Sequence, residues 1–251
     1  MKIKQLGILS GVFLAATLGT ASAAQAALVV VPPGLAPGAQ YRLVFVTSGA
    51  RDGTSDNIDD YNTFVTNQVT GSALANALSG AGLTTTWKAI GSTASVAARD
   101  NTGTNPTLGT GVPIYLIDGN RVANDNADLW DGSIQTAIYR TPLDTVSTSL
   151  VWTGTTFVGL ATSYGLGGCF GGCGFDGFVA RGSSNVSFQI GGSWIFGFVN
   201  FYLDHLPLYG ISSVLTVPGG SPQQVPEPSS LLGFITLGGL MLGGAVRKAR
   251  K

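Results

Sequence analysis

An apolar stretch closes each end of this chain and confines any folded body to the residues between them. At the N-terminus Lys2 and Lys4 precede an apolar run from Leu6 to Leu18, followed by small residues at Ala21-Ser22-Ala23 and Ala24-Gln25-Ala26. A charged start, a short apolar middle and A-x-A spacing are the three parts of a secretory signal peptide. Residues 1–27 are therefore assigned to export, with signal peptidase as the processing partner and Leu28 opening the mature chain. At the other end Val225-Pro226-Glu227-Pro228-Ser229-Ser230 leads into an apolar run from Leu231 to Val246 and then into Arg247-Lys248-Ala249-Arg250-Lys251. At about 1.5 Å per residue the 231–246 helix spans roughly 24 Å of a hydrocarbon core about 30 Å thick. Glycines such as Gly233, Gly238, Gly239 and Gly243 loosen it, and Arg247, Lys248, Arg250 and Lys251 mark its cytoplasmic side. A thin transmembrane helix of this kind suits a transient anchor.

Roughly 200 residues remain between the two ends, a length that suits one domain whose core needs no disulfide support. The formal net charge of the whole chain is zero, but six of the 13 basic residues lie in the terminal segments. The body keeps Arg42, Arg51, Lys88, Arg99, Arg121, Arg140 and Arg181 against twelve aspartates from Asp52 to Asp204, so seven minus twelve leaves it near −5. Such a surface cannot neutralise a run of phosphates, which excludes nucleic acid as a partner. One His and two Cys exclude a four-ligand zinc site built from those residue types.

Residues 28–40 form a lead-in rich in Pro and Gly. The globular domain is placed at 41–218, with a linker at 219–224 and the C-terminal segment at 225–251. Tyr41 to Thr47 reads as a strand from its aromatic and β-branched content. Thr54 or Ser55 is the expected cap of a helix whose apolar face is Ile58, Tyr61, Phe64, Val65 and Val69, and a second helix is expected from Ser72 to Leu78. Short strand signals follow at Trp87-Lys88-Ala89-Ile90, Pro113 to Ile117, Leu150 to Thr153 and Trp194 to Phe201. Leu208 to Val217 matches the first strand in content and is expected to pair with it, which would bring the two processed ends together.

Two resemblances add to this reading. The order Val225-Pro226-Glu227-Pro228, short apolar span and basic cluster resembles the PEP-CTERM sorting signal. That resemblance implies a Gram-negative-type envelope, cleavage near Pro226 to Pro228 by an exosortase, and delivery to the cell surface or an exopolysaccharide matrix. The body, from about Tyr41 to Val217, resembles a bacterial family of the C-type lectin-like fold. The residues that carry it are Trp87-Lys88-Ala89-Ile90-Gly91-Ser92 with Ala98-Arg99-Asp100, Val112-Pro113-Ile114-Tyr115 with Asp118-Gly119, Ala127-Asp128-Leu129-Trp130-Asp131-Gly132 and Val151-Trp152-Thr153-Gly154-Thr155. It implies an α+β domain with paired terminal strands, two early helices and long loops. The paired cysteines that usually brace that fold are missing, and Tyr209 stands in a comparable place. An all-β sandwich with an inserted helix is the alternative.

Asn124, Asn126, Asp128 and Asp131 concentrate side-chain oxygens as calcium requires, although the twelfth position from Asn124 is Gln135 and not a bidentate Glu. Asp and Asn gather at turns and helix caps for local reasons too. The sugar-binding Glu-Pro-Asn and Gln-Pro-Asp tripeptides are absent. Cys169 and Cys173, four apart in a glycine-rich loop, are expected to close on each other in an oxidising exterior. His205 beside Asp204 lacks a serine elbow and reads as a turn residue. Trp130, Trp152 and Trp194 would be stacking platforms for sugar rings if exposed and core ballast if buried. The functional expectation is a non-enzymatic surface or matrix protein, without a cofactor unless calcium binds, that works by adhesion, scaffolding or capture of exopolysaccharide. The alternative is a glycoside hydrolase using a pair drawn from Asp52, Asp56, Asp128 and Asp131.

Overall fold

A computed structural model describes residues 28–168, 177–186 and 194–219. The expected signal peptide at 1–27, Cys169 and Cys173, and the PEP-CTERM segment with the apolar run at 231–246 expected as a helix lie outside the described residues. Among the described residues no helix is long and apolar enough to cross a membrane.

The first strand, β1 (Gln40–Val46), organises the larger sheet. Tyr41, Leu43 and Phe45 face one core cluster while Val44 and Val46 face the other, and all five are buried. A strand covered on both faces cannot alternate apolar with polar residues, which is why this segment reads as a near-continuous apolar run. It is followed by α1 (Ile58–Val69) and α2 (Ala73–Gly80), then by β2 (Trp87–Ala89) and a single turn, α3 (Ala98–Asn101). Next come β3 (Ile114–Leu116), β4 (Arg121–Ala123), the short α4 (Asn126–Leu129), β5 (Leu150–Trp152), β6 (Phe178–Ser183), β7 (Phe198–Phe201), β8 (Tyr209–Ser212) and β9 (Leu215–Thr216).

Strand order in the larger sheet is β2-β8-β1-β3-β4. β1 runs parallel to β3 and antiparallel to β8, with Val44 opposite Ile211 and Val46 opposite Tyr209. β9 pairs with the start of β1, Gln40 opposite Thr216. The expected pairing of the first and last strand segments is present, and the chain enters and leaves the sheet at one end. The last segment is two strands, not one: β8 pairs with β2 and the end of β1, and β9 pairs with the start of β1. β5, β6 and β7 form a second, antiparallel sheet, and a Trp152–Leu208 bridge links it to the approach of β8. Helices occur beside a mixed larger sheet and an antiparallel smaller one, an arrangement compatible with an α+β or a mostly β domain.

The face predicted for α1 is the one it packs: Ile58, Tyr61, Val65 and Val69 are buried and Phe64 lies against the same cluster. Its cap is Asn57, whose side chain accepts from the Asp59 N–H, and not Thr54 or Ser55. Ser55 Oγ instead accepts from Asn57 N and donates to Asp60 Oδ2, so the expected cap residue braces the cap. Ser72 caps α2 by accepting from Ala75 N. Gly210 lets α1 approach the sheet closely, since a Cβ there would stand 2.5 Å from Phe45 Cζ and 2.6 Å from Val65 Cγ1.

Several core tyrosines make the fold sensitive to alkali. The Tyr41 hydroxyl donates to Val30 O at 2.7 Å, and burial pushes its pKa up to about 12. Burial also raises Tyr61 and Tyr209. An unfolded tyrosine ionises near about 10, so the folded state holds these protons longer than the unfolded state does. The Tyr41 contribution is complete below about pH 10 and is lost as pH rises through about 12, and Tyr61 and Tyr209 act in the same direction. Urea midpoints should therefore fall over that interval in step with tyrosinate absorbance. A midpoint that stays flat across it would contradict this.

Candidate functional site

The most chemically distinctive cleft, about 310 Å³, opens between α3, the 103–111 loop and the β8–β9 turn, lined by Arg42, Arg99, Asp100, Asn105, Asn126 and Val214 among others. Its floor is built by polar anchoring. Asn62 on α1 is buried, and its Oδ1 accepts from Ala89 N and Asn101 Nδ2, both at 2.9 Å. Asn101 Nδ2 also donates to Ala89 O at 2.8 Å, which ties α3 to both α1 and β2. The other end of α3 is held by Ser92 Oγ, which accepts from Ala98 N at 2.8 Å. A four-residue helix has too few bonds to persist alone, so these contacts are what place Arg99 and Asp100.

Arg42, on β1, reaches over the sheet end and donates through Nη1 to Thr102 O at 2.8 Å and Ser212 O at 3.0 Å, and through Nη2 to Gly103 O at 3.3 Å. Carbonyl dipoles hold the guanidinium without cancelling its charge. Burial lowers its pKa, yet an arginine stays protonated. Arg99 is less satisfied still: its Nε is buried with no hydrogen-bond partner. Arg51 pairs with Asp52, Lys88 with Asp59 and Arg140 with Asp144, whereas among the described residues Arg42 and Arg99 are in no ion pair. Asp100 carries the cleft's carboxylate and accepts from Asn105 Nδ2 at 2.6 Å. Asn126 is buried and donates to Gly109 O at 2.9 Å, fixing the loop opposite. The rim is apolar: Leu108 is 83% exposed and Val214 41%.

The tryptophans are not platforms. Trp130 is 4% exposed, and Trp152 and Trp194 are fully buried, so no indole face is open to a sugar ring. This corrects the stacking expectation, and the cause lies in partners distant in sequence. Trp130 Nε1 donates to Thr104 O and Oγ1, pinning the cleft loop from beneath. Trp152 Nε1 donates to Arg51 O at 3.0 Å, and Trp194 packs between Trp130 and Tyr209.

The oxygens proposed for calcium have local work. Asp125 caps α4 by accepting from Asp128 N. Asp128 Oδ2 accepts from Asn124 N at 2.6 Å and Gln135 Nε2 at 2.8 Å. Asn124 Oδ1 accepts from Arg121, and Asp131 Oδ1 accepts from Ser133 N and Oγ. Among the described residues no group of three or more His, Cys, Asp or Glu side chains is arranged to hold a metal ion. These are the bonds of an Asx-rich turn.

Asp52, one of the aspartates considered for glycoside cleavage, accepts from Thr54 N and Oγ1 and lies 3.5 Å from Arg51. Burial alone would raise its pKa, but the Thr54 hydrogen bonds and the Arg51 charge outweigh it and hold the carboxyl below its ordinary value. A glycosidase proton donor needs the opposite shift. Asp204 accepts from Asn200 Nδ2, and its neighbour His205 lines a separate cleft of about 560 Å³ bordered by Thr47, Ser48, Thr145, Ser147 and Thr148.

The cleft arginines are what sequence reading did not single out, since it counted them as charges or as part of a motif. Comparison with protein-family models matches the PEP-CTERM protein-sorting motif at residues 224–251. A search of the curated proteins finds no match to the chain. The matched segment contains Val225, Pro226, Glu227, Pro228, Arg247, Lys248, Arg250 and Lys251. The motif marks an exported surface protein that exosortase recognises and processes, held for a time by a C-terminal membrane anchor.

Proposed function

We propose that the processed body, of C-type lectin-like architecture, is a non-enzymatic contact protein of the cell surface or matrix and binds exopolysaccharide. The observation that carries this reading is the sorting motif at 224–251, which marks an exported surface protein; exopolysaccharide is the partner such a location would offer. Supporting the architecture is the pairing of β1 with both β8 and β9, with two helices between and long loops beyond. Gly38 N donates to Val217 O and Val217 N to Ala39 O, so both processed ends leave from one pole. The hydroxyl-rich cleft beside Thr47 and His205 lies past the other end of β1 and faces away from that pole. A rigid sheet that carries polar clefts on loops is a scaffold for capture.

The test is co-sedimentation of the released, processed protein with its host's purified exopolysaccharide. Saturable binding that survives calcium chelation is expected, since Asp128 and Asp131 commit oxygens to local bonds. No binding, combined with slow shortening of the polymer, would replace this reading with the Asp-dependent glycosidase.

A further inference from the structure

Arg42 and Arg99 line one small cleft, and among the described residues neither is in an ion pair, in a body whose net charge is near −5. Arg51 and Arg140 pair with aspartates, while Arg121 and Arg181 donate to the neutral side chains of Asn124, Tyr115 and Asn200. Arg42 instead donates to three backbone carbonyls, which orients its charge without removing it. Arg99 has its Nε buried with no partner. Buried polar atoms are nearly always satisfied, so an orphan on a residue that lines the cleft marks a guanidinium whose hydrogen-bonding capacity the protein leaves in part unused. From these observations we infer that the Arg42–Arg99 cleft binds one carboxylate-bearing sugar, a uronate unit of an acidic polysaccharide. The inference deepens the matrix-contact reading and rests on it.

Shape and surroundings select this class of ligand. The cleft's roughly 310 Å³ lies at the small end of the usual range for ligand pockets, about 300 to 1,000 Å³. It has room for a compact group and not for a polymer lying flat. Leu108 and Val214 at the rim offer apolar contact for the C–H face of a sugar ring, while the arginines below take its carboxylate. A broad anionic surface such as a phospholipid bilayer would meet the body's twelve aspartates together, whereas a single carboxylate meets the local field of the two cations. Asp100 is the built-in opponent. It lines the same cleft, is in no ion pair with either arginine, and repels the incoming anion.

Those opposed charges give a test of two signs. The released, processed protein is titrated calorimetrically with trigalacturonate and with the neutral trisaccharide galactotriose. The uronate should bind at least about tenfold more tightly, as expected for charge-assisted hydrogen bonds, and should weaken as salt is added. Arg99→Gln should bring uronate down to the neutral level, Arg99→Lys should recover part of it, and Asp100→Asn should strengthen it severalfold. A merely structural role for these residues would not give effects of opposite sign. Equal affinity for the two trisaccharides, or an unchanged Arg99→Gln variant, overturns the assignment. So does tight binding to vesicles of anionic phospholipid without uronate binding. If host exopolysaccharide is held equally by wild type and Arg99→Gln, the matrix reading stands and this site falls. If trigalacturonate binds but no host polymer does, the site stands and the matrix reading falls.

Discussion

Replacing Pro226-Glu227-Pro228 with three alanines should leave the protein in the membrane fraction with its C-terminal tail uncut. The physical reason lies in what the tripeptide does to the chain beside an apolar helix. Each proline fixes φ near −65° and lacks an N–H, and Pro228 pushes Glu227 out of the helical region. The prolines thus disfavour helix through 225–230, and an extended segment is the conformation in which proteases take their substrates. Alanine is the best helix former and proline the worst, about 3 kcal/mol apart per position. Three alanines would let the helix of 231–246 run outward through the processing site and hide it. Immunoblots of membrane and released fractions, probed for the body and for a tag placed after Lys251, read the outcome directly. Wild type should appear in the released fraction without the tag, and the variant should stay in the membrane with it. Normal release of the triple-alanine protein would defeat the sorting role of these residues.

How much of this molecule is legible in its sequence depends on whether an element is held by local chemistry or by distant partners. α2 is local: Ser72 supplies the cap, small and apolar residues fill the turns, and the helix is found where expected. β1 is legible because burial on both faces leaves a run of apolar residues with little else to do. β6 is the contrary case. Phe178–Ser183 contains an Arg and a Gly and sits in a glycine-rich stretch, and it is a strand because Leu150–Trp152 and Phe198–Phe201 pair with its two edges. β4 has three residues, Arg121–Ala123, and exists because Asp118-Gly119 turns the chain back on β3, with Gly119 at φ +89°. That Asp-Gly pair is visible in the sequence as part of a motif, but its hairpin emerges only with the register.

The site divides in the same way. That residues 225–251 form a sorting signal is readable because order and composition alone specify it. A tryptophan's sequence neighbours do not say which side of it faces water, and Trp130, Trp152 and Trp194 are buried for reasons supplied by residues far along the chain. The special feature of Arg42 and Arg99, 57 positions apart, is that they line one cleft, which is a property of space and leaves no pattern in one dimension.

The largest expected effect on stability comes from Gly154→Ala. Gly154 lies just beyond β5 at φ +62°, where an L side chain costs about 1 to 2 kcal/mol before any contact is considered. The added Cβ would also collide with Ser92 O, stand 2.6 Å from Leu166 N and 3.0 Å from Gly165 Cα. All three neighbours are backbone, so no side chain can swing aside to relieve the crowding. The same atoms carry hydrogen bonds: Ser92 N donates to Thr153 O, Leu166 N to Ser92 O, Gly154 N to Ala180 O and Thr162 N to Gly154 O. Room for a methyl group must therefore come from separating the 92–93, 153–155 and 162–166 segments, with loss of part of that lattice. Together these terms place the variant about 3 to 5 kcal/mol below wild type, at the severe end for a single substitution. Gly80→Ala provides the contrast. Gly80 ends α2 without a positive φ, and a Cβ added there would have no heavy atom within 4 Å, so alanine should be neutral or stabilise by up to about 1 kcal/mol. Urea unfolding of the two variants beside wild type separates the cases. A Gly154→Ala midpoint within error of wild type would mean that the three segments do not meet at Gly154 as described. The Ser92 hydroxyl also anchors α3 through Ala98 N, so uronate binding at Arg99 should weaken in Gly154→Ala under conditions where the variant is still folded. In Gly80→Ala it should be unchanged.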